Sequence, residues 1–431
     1  MSVTAEREPE SAVEKGIARK VRRRLLPFLF LLYIVAFLDR INIGFAALTM
    51  NRELGITGGQ FGLIAGGFFL GYCLFEVPSN LLLHRIGARV WIARILLSWG
   101  VVAMLSGLAR SATDLYALRF LLGVAEAGFF PGIILYLTYW FSQREQARTL
   151  ALFLTGAPLT TILGAPVSGW ILDHAHGLGM SSWRWLLILE GLPAIVCGVL
   201  AYFLLPNRPA EARFLSAEEK QLLTERLRAE EERKRESNPV SAVQALRSGR
   251  VWHLAATYLA LMTGFYSMSF WMPQTVKALS SHYSNTTVGL LVMIPHLVGL
   301  GAMLTVSWSS DRRMERKWHT ALPVMAGATG LLLLGSAPGS AVVNVALLAL
   351  VLAGIYSFLG PFWSLPSEFL SGFSAASGIA FINSVGNLGG VAGPWAIGAV
   401  SQTHYGVYGG YALVGVALIA GAALVLLLPR K

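Results

Sequence analysis

LLPFLFLLYIVAFLDRINIGFAAL, residues 25–48, is apolar enough to cross a bilayer and yet carries a carboxylate and a guanidinium side by side, Asp39 and Arg40. About 20 apolar residues in a helix span a hydrocarbon core of about 30 Å. Ionisable groups at that depth are costly unless they face a partner or a wet cavity, so their presence is a functional signal. A second pair, Arg119 and Glu126, lies within the apolar run 115–141. Charge held inside two spans points to chemistry on a charged solute at membrane depth, which a passive anchor would not need.

The composition agrees. Hydrophobic residues make up 55% of the 431 and charged residues 13%, with 45 glycines and a mean hydropathy of +0.59. A soluble protein of this length could not bury so much apolar surface. Further runs of spanning length fall at 60–83, 90–109, 149–172 and 183–205, then at 251–277, 286–309, 319–336, 341–365, 375–400 and 409–428. With 25–48 and 115–141 they predict an all-α membrane protein of twelve transmembrane helices. Lys and Arg collect on one side: Arg19, Lys20 and Arg22 to Arg24, Arg85 and Arg89, Arg144 and Arg148, the stretch 206–250, Arg312, Arg313, Arg316 and Lys317, and the last two residues. The opposite loops hold Arg52, Arg110 and Lys277. The positive-inside bias therefore puts both termini in the cytoplasm, and the net charge of +11 reads as a topology signal with no nucleic-acid partner. The first run is too long for a cleavable signal peptide. Cys73 and Cys197 fall inside spans, where a small apolar role is expected and no metal site is implied. No nucleotide-binding loop appears, which argues against ATP drive, and no cofactor is expected.

The polar stretch 206–250 divides the chain into halves, 25–205 and 251–428, with cytoplasmic segments 1–24 and 429–431. Ser216 and Glu219 form a capping box, and Leu222, Leu223 and Leu227 stripe a helix otherwise built of Glu, Lys and Arg, as for an amphipathic helix at the cytoplasmic surface. Gly62-Leu63 and Gly289-Leu290 are separated by the same 227 positions as Arg85 and Arg312, a register that suggests a duplicated six-helix unit with its site between the repeats. The same offset sets Asp39 against Tyr266 and Arg40 against Ser267. Charge is concentrated in the first half.

Asn80-Leu-Leu-Leu-His-Arg-Ile-Gly-Ala-Arg89 resembles the loop signature of the major facilitator superfamily, and Ser309-Ser-Asp-Arg312 its echo in the second half. Arg119 to Gly128 resembles the fourth-helix motif and Gly156 to Gly169 the glycine- and proline-broken fifth helix. Leu38 to Asn42, Gly123 to Pro131, Phe270 to Gln274, Gly360 to Pro366 and Asn383 to Gly390 are similar to the anion:cation symporter branch, which includes bacterial permeases for tartrate, galactonate and other organic acids, and animal sialin and vesicular glutamate transporters. The resemblance implies two pseudo-symmetric six-helix bundles, transport without enzymatic turnover, and gating residues Arg85, Arg89, Asp311 and Arg312. His84 stands where the signature has an acid, so the superfamily's charge contact at that gate does not carry over unchanged.

Within the charged cluster, an arginine fork suits a carboxylate because its donors match two oxygens and it stays protonated. Arg40 is the leading substrate anchor; Arg119 either serves the same end or pairs with Asp39 or Glu126. Asp39 and Glu126 are the candidate proton carriers, expected to share one cavity with Arg119. Tyr33 lies on the face of Arg40, and Tyr72, Trp271, Gln274, Tyr356, Trp363, Asn383 and Asn387 are further candidate lining groups. Glu76, Glu190 and Glu368 are expected to be structural. These features predict a monomeric, proton-coupled importer of a small organic carboxylate in a bacterial inner membrane, the alternative being an exchanger or exporter with the same fold.

Overall fold

A computed structural model describes residues 12–236, 247–334, 340–366 and 372–428. Its regular elements are helices, apart from one isolated bridge between Gly177 and Met180. The first half comprises α1 (Ala12–Glu53), α2 (Gly58–Ile86), α3 (Ala88–Ser106), α4 (Ala112–Glu126), α5 (Phe129–Thr138), α6 (Gln143–Leu154), α7 (Gly156–His174) and α8 (Ser182–Leu204). The connecting helix α9 (Ala217–Glu236) leads to α10 (Gly249–Ala278), α11 (Asn285–Arg313), α12 (Lys317–Leu334), α13 (Ala341–Ser357), α14 (Leu359–Ser364), α15 (Gly372–Asn387), α16 (Gly389–Ser401) and α17 (Gly406–Leu427).

Helix lies within each of the twelve predicted runs, and nine helical segments among the described residues are long and apolar enough to cross a membrane. The other three are the more polar α10 and α12 and the interrupted pair α15 and α16. The all-α fold follows from the apolar runs because, in hydrocarbon, backbone groups must be satisfied within the segment. A belt of outward apolar side chains, among them Leu74, Trp170, Phe203 and Val342, is what a lipid-facing surface requires.

Several spans are broken. The run 115–141 leaves the helix directly after Glu126, where Ala127 is extended and Gly128 sits at φ +81°, a conformation that glycine adopts without a Cβ penalty. The run 375–400 is interrupted at Leu388, next to Asn387. Helix α1 starts at Ala12, well before the expected 25, and its 42 residues reach about 63 Å. Hydropathy marks where the membrane ends; the charged residues before Leu25 simply continue the helix. Lys20 Nζ donates to Glu219 Oε1 (2.5 Å), and Glu14 pairs with Arg226, so α9 docks on this extension with Leu223 and Leu227 turned toward the protein. The capping box forms, Ser216 N to Glu219 Oε2 (3.0 Å) and Glu219 N to Ser216 Oγ (3.2 Å). The Lys20 ammonium and the Ser216 amide hold the Glu219 carboxyl below its usual range. Lys317 bonds the Leu428 carbonyl, so the described chain ends lie on one face, called here the terminal face.

The halves meet along α1 with α10, α2 with α16, and α7 with α11. Gly62 and Gly289 occupy equivalent seams: a Cβ on Gly62 would collide with the backbone of Pro394 and Trp395, and one on Gly289 with that of Ala165 and Pro166.

Candidate functional site

Adjacent residues on a helix point about 100° apart, and α1 uses this to send its two charges to different places. Asp39, fully buried, turns into the first half: its Oδ2 accepts from Trp99 Nε1 (2.7 Å) and its Oδ1 from Asn42 Nδ2 (3.4 Å). Arg40 turns to α4 and the seam. Its guanidinium pairs with Glu126, whose side chain is 0% exposed, and lies over the rings of Phe68 (4.9 Å) and Tyr72 (5.3 Å). From the second half, Tyr266 lies beside Arg40 and donates its hydroxyl hydrogen to Asn387 Oδ1 (3.0 Å). Arg40, Glu126, Tyr72, Tyr266 and Asn387 thus form one constellation across the two halves.

Arg119 differs from both expectations for its partner. It makes no salt bridge with Asp39 or Glu126 among the described residues; its NH1 and NH2 instead donate to the backbone carbonyls of Asp39 (3.3 Å) and Arg40 (2.9 Å), with Phe68 beneath (5.3 Å). It braces the segment of α1 that carries both charges. Glu126 is therefore shared with Arg40, and Asp39 faces Trp99, so the single cavity expected for Asp39, Arg119 and Glu126 is divided in two by the backbone of α1. A small cavity of ≈ 10 Å³ borders Asp39, Asn42, Ser106 and Arg119, room for about one water.

Tyr33 stands in a wall of Phe37, Phe130 and Phe153. Trp363 packs edge-on to Tyr258 (4.9 Å), and Tyr356 is buried against Phe265 and His296. Asn383 lies beside Glu76, which accepts from Ser384 Oγ across the seam (3.0 Å). Gln274 accepts from Asn51 (3.3 Å), eleven residues along α1 from Arg40 and hence about 16 Å away. Trp271 donates to the Pro394 carbonyl (3.2 Å). Glu190 is buried on α8 and accepts from Ser168 (2.6 Å). Glu368 and the side chain of His84 lie outside the described residues.

On the terminal face Arg89 donates to the Tyr202 carbonyl (2.6 Å), Asp311 accepts from Arg316 (2.5 Å), Arg312 lies over Trp308, and Arg85 is exposed. These contacts stay within one half. The contacts that cross between halves at the opposite face came from no sequence motif. Asp173, at the end of α7, accepts from Asn285 N (3.1 Å), Asn285 Nδ2 (2.9 Å), Thr286 N (2.7 Å) and Thr286 Oγ1 (2.7 Å) at the start of α11. Gln402 Nε2 donates to Thr57 (3.1 Å). Tyr266, Trp99 and Asp173 were the functional candidates missed. Tyr266 was signalled by its 227-residue offset from Asp39, and Trp99 by the need of a buried carboxylate for a donor.

The chain is 44% identical over 97% of its length to a putative tartrate transporter of Agrobacterium vitis, covering 96% of that protein. It is 39% identical to the putative metabolite transport protein NicT of Pseudomonas putida, covering 97% and 95% of the two chains. Among solved structures, the xylose transporter XylE of E. coli in its inward-open conformation superposes with a TM-score of 0.75 at 13% identity, covering 94% and 96%. Residues 29–394 match the Major Facilitator Superfamily, and the chain belongs to that family of membrane transporters.

Proposed function

We propose that this transporter imports a small organic carboxylate, a hydroxy-dicarboxylate or a sugar acid, in symport with protons. The observation that carries the proposal is the Arg40–Glu126 pair, its carboxylate fully buried, beside Tyr266 of the second half. A substrate carboxylate is the natural competitor for that guanidinium. Once it displaces Glu126, the glutamate is left without its cation in a low-dielectric setting, where the neutral acid is favoured. Anion entry and proton uptake then become one event. Asp39, held by Trp99 and Asn42, is the second proton carrier, while Arg119 fixes the backbone between the two.

Tyr33, Tyr72, Asn383 and Asn387 offer hydroxyl and amide groups to the solute, with Trp363 and Gln274 farther along the path and Arg85, Arg89, Asp311 and Arg312 guarding the terminal face. Residues 25–205 and 251–428 act as the two moving halves of a monomer. The excess of Lys and Arg on the terminal face supports a cytoplasmic location for both termini in an inner membrane, and the tartrate-transporter relative supports a hydroxy-acid substrate.

Glu126→Gln in liposomes tests the coupling. The glutamine copies a permanently protonated carrier, so accumulation driven by a pH gradient should vanish while counterflow of labelled for unlabelled substrate survives. Accumulation at the wild-type level would remove Glu126 from the proton path. Wild-type counterflow without any response to a pH gradient would favour the exchanger.

A further inference from the structure

Buried behind Asp39 is a carboxyl with no part yet in the mechanism. Glu190 on α8 is 3% exposed and makes no salt bridge among the described residues. Its Oε1 accepts from Ser168 Oγ on α7 (2.6 Å), and beside it lies Asn42 of α1, whose amide N–H donates to Asp39. Among the buried side-chain atoms without a hydrogen-bond partner are one from each of these two neighbours, Glu190 Oε2 and Asn42 Oδ1. Both are acceptors when the glutamate is ionised, and two acceptors cannot satisfy one another. A single proton on Glu190 Oε2 turns it into the donor that Asn42 Oδ1 lacks. The small cavity beside Asp39 borders Asn42 and Arg119 without reaching Glu190, so a water there would not satisfy Oε2.

We propose that Glu190 is a positioning residue for proton coupling: it holds a proton, donates it in a hydrogen bond to Asn42 Oδ1, and so turns the Asn42 amide N–H onto Asp39. The role rests on the coupling assigned above to Asp39. The groups facing this relay are few. Ser168 faces Glu190 from α7 and Asp39 from α1, while Trp99 of α3 and the charges of Arg119 and Glu126 of α4 act on Asp39. A neutral glutamic acid costs far less to bury than an ionised one, and Asn42 passes its orientation to Asp39 without itself titrating. In a reversed arrangement, with the proton on Asp39, the Asn42 amide would be flipped and would donate to Glu190.

The two arrangements separate spectroscopically. In infrared spectra of the purified carrier at neutral pH, Glu190→Gln should remove a neutral-carboxyl stretching band that Asp39→Asn leaves in place. Loss of that band in Asp39→Asn and its survival in Glu190→Gln would overturn the proposal. Uptake supplies the second readout. Glu190→Leu releases Asn42 and removes a donor from the ionised form of Asp39, so the pH midpoint of gradient-driven uptake should rise by about one unit, the worth of one hydrogen bond to a charged group. Asn42→Leu should move it equally, which preserves the test if Glu190→Leu fails to fold. Glu190→Gln keeps a donor toward Asn42 Oδ1 and should restore the wild-type midpoint. Unmoved midpoints in folded Glu190→Leu and Asn42→Leu carriers, or no rescue by glutamine, would refute the role. If wild-type uptake proves indifferent to a pH gradient, the coupling assignment fails by itself and the infrared result alone decides where the proton sits.

Discussion

Asp173 should hold the carrier shut on the face opposite the termini, and removing its carboxylate should let that face open. Two oxygens accept four hydrogen bonds from Asn285 and Thr286 at distances of 2.7 to 3.1 Å. They also sit at the positive N-terminus of α11, a favourable place for an anion. One hydrogen bond to a charged group is worth about 1.5–3 kcal/mol. The four share one partly exposed carboxylate and will not add, so a net worth of about 2–3 kcal/mol is the appropriate scale. At about 1.4 kcal/mol per tenfold, Asp173→Ala should raise the open-to-closed ratio on that face roughly 30- to 140-fold. Asp173→Asn should do nearly as much, because an amide cannot present acceptors to both backbone N–H groups. The assay is the rate at which an impermeant thiol reagent added from that face labels a cysteine at Asn51, half-buried beside Gln274 of the second half near the end of α1, with Cys73 and Cys197 replaced. Labelling unchanged within about twofold in a folded Asp173→Ala carrier would refute the closure.

Arg40→Lys keeps the charge but loses the fork and its planar stacking on Phe68 and Tyr72, so affinity for the best carboxylate should fall by about 10- to 100-fold in a calorimetric titration; wild-type affinity would remove Arg40 as anchor. Cysteine labelling from the periplasm should reach position 176 and miss position 233, and the reverse would overturn the orientation. Gly289→Val places a branched side chain against the backbone of Ala165 and Pro166; with overpacking costing about 1–3 kcal/mol, the same impermeant reagent should find the α7–α11 seam sprung open, and an unaltered labelling pattern would argue that the seam is looser than described.

The parts of the site legible in the sequence were those written as violations. Charge inside an apolar run is rare enough to be noticed at once, and Asp39, Arg40, Arg119 and Glu126 all stand within two spans that the structure packs together. Partner choice was less legible, though part of it was within reach. Asp39 and Arg40 are adjacent, so a helix cannot point both into one cavity, and the division between Trp99 and Glu126 follows from that geometry. Tyr266 was visible through the 227-residue register that also relates Gly62 to Gly289. The Asp173 closure was not visible, because it joins residues more than a hundred positions apart through helix ends whose approach only the folded halves determine. The early start of α1 escaped for another reason: hydropathy reports the membrane boundary and is silent about a helix that continues into water.

The uneven charge of the two halves has a mechanical consequence. Arg40 and Glu126 both belong to the first half, and no salt bridge among the described residues joins the two bundles. At membrane depth the second half reaches the site through neutral groups, the Tyr266 hydroxyl and the Asn387 amide, and through the Ser384 hydroxyl on Glu76. Separating a buried ion pair leaves uncompensated charge at a cost of about 3–5 kcal/mol. A hydrogen bond from a neutral group to a charged one is worth about 1.5–3 kcal/mol, and one between neutral groups about 1 kcal/mol, so either is exchanged for water more cheaply than an ion pair is broken. A carrier whose halves rock past one another many times benefits from keeping its ion pair on one side of the seam, where the motion never breaks it. The substrate carboxylate, arriving at Arg40, is then the one charge whose entry must be matched, and Glu126 is the group beside it that can match it with a proton. Moving the acid across the seam should undo this economy: with Glu126→Gln and Tyr266→Glu combined, the new carboxylate would stand beside Arg40, the ion pair would bridge the halves, and counterflow should slow markedly although binding is retained. Counterflow at the rate of Glu126→Gln alone would show that a charge across the seam is no obstacle to rocking.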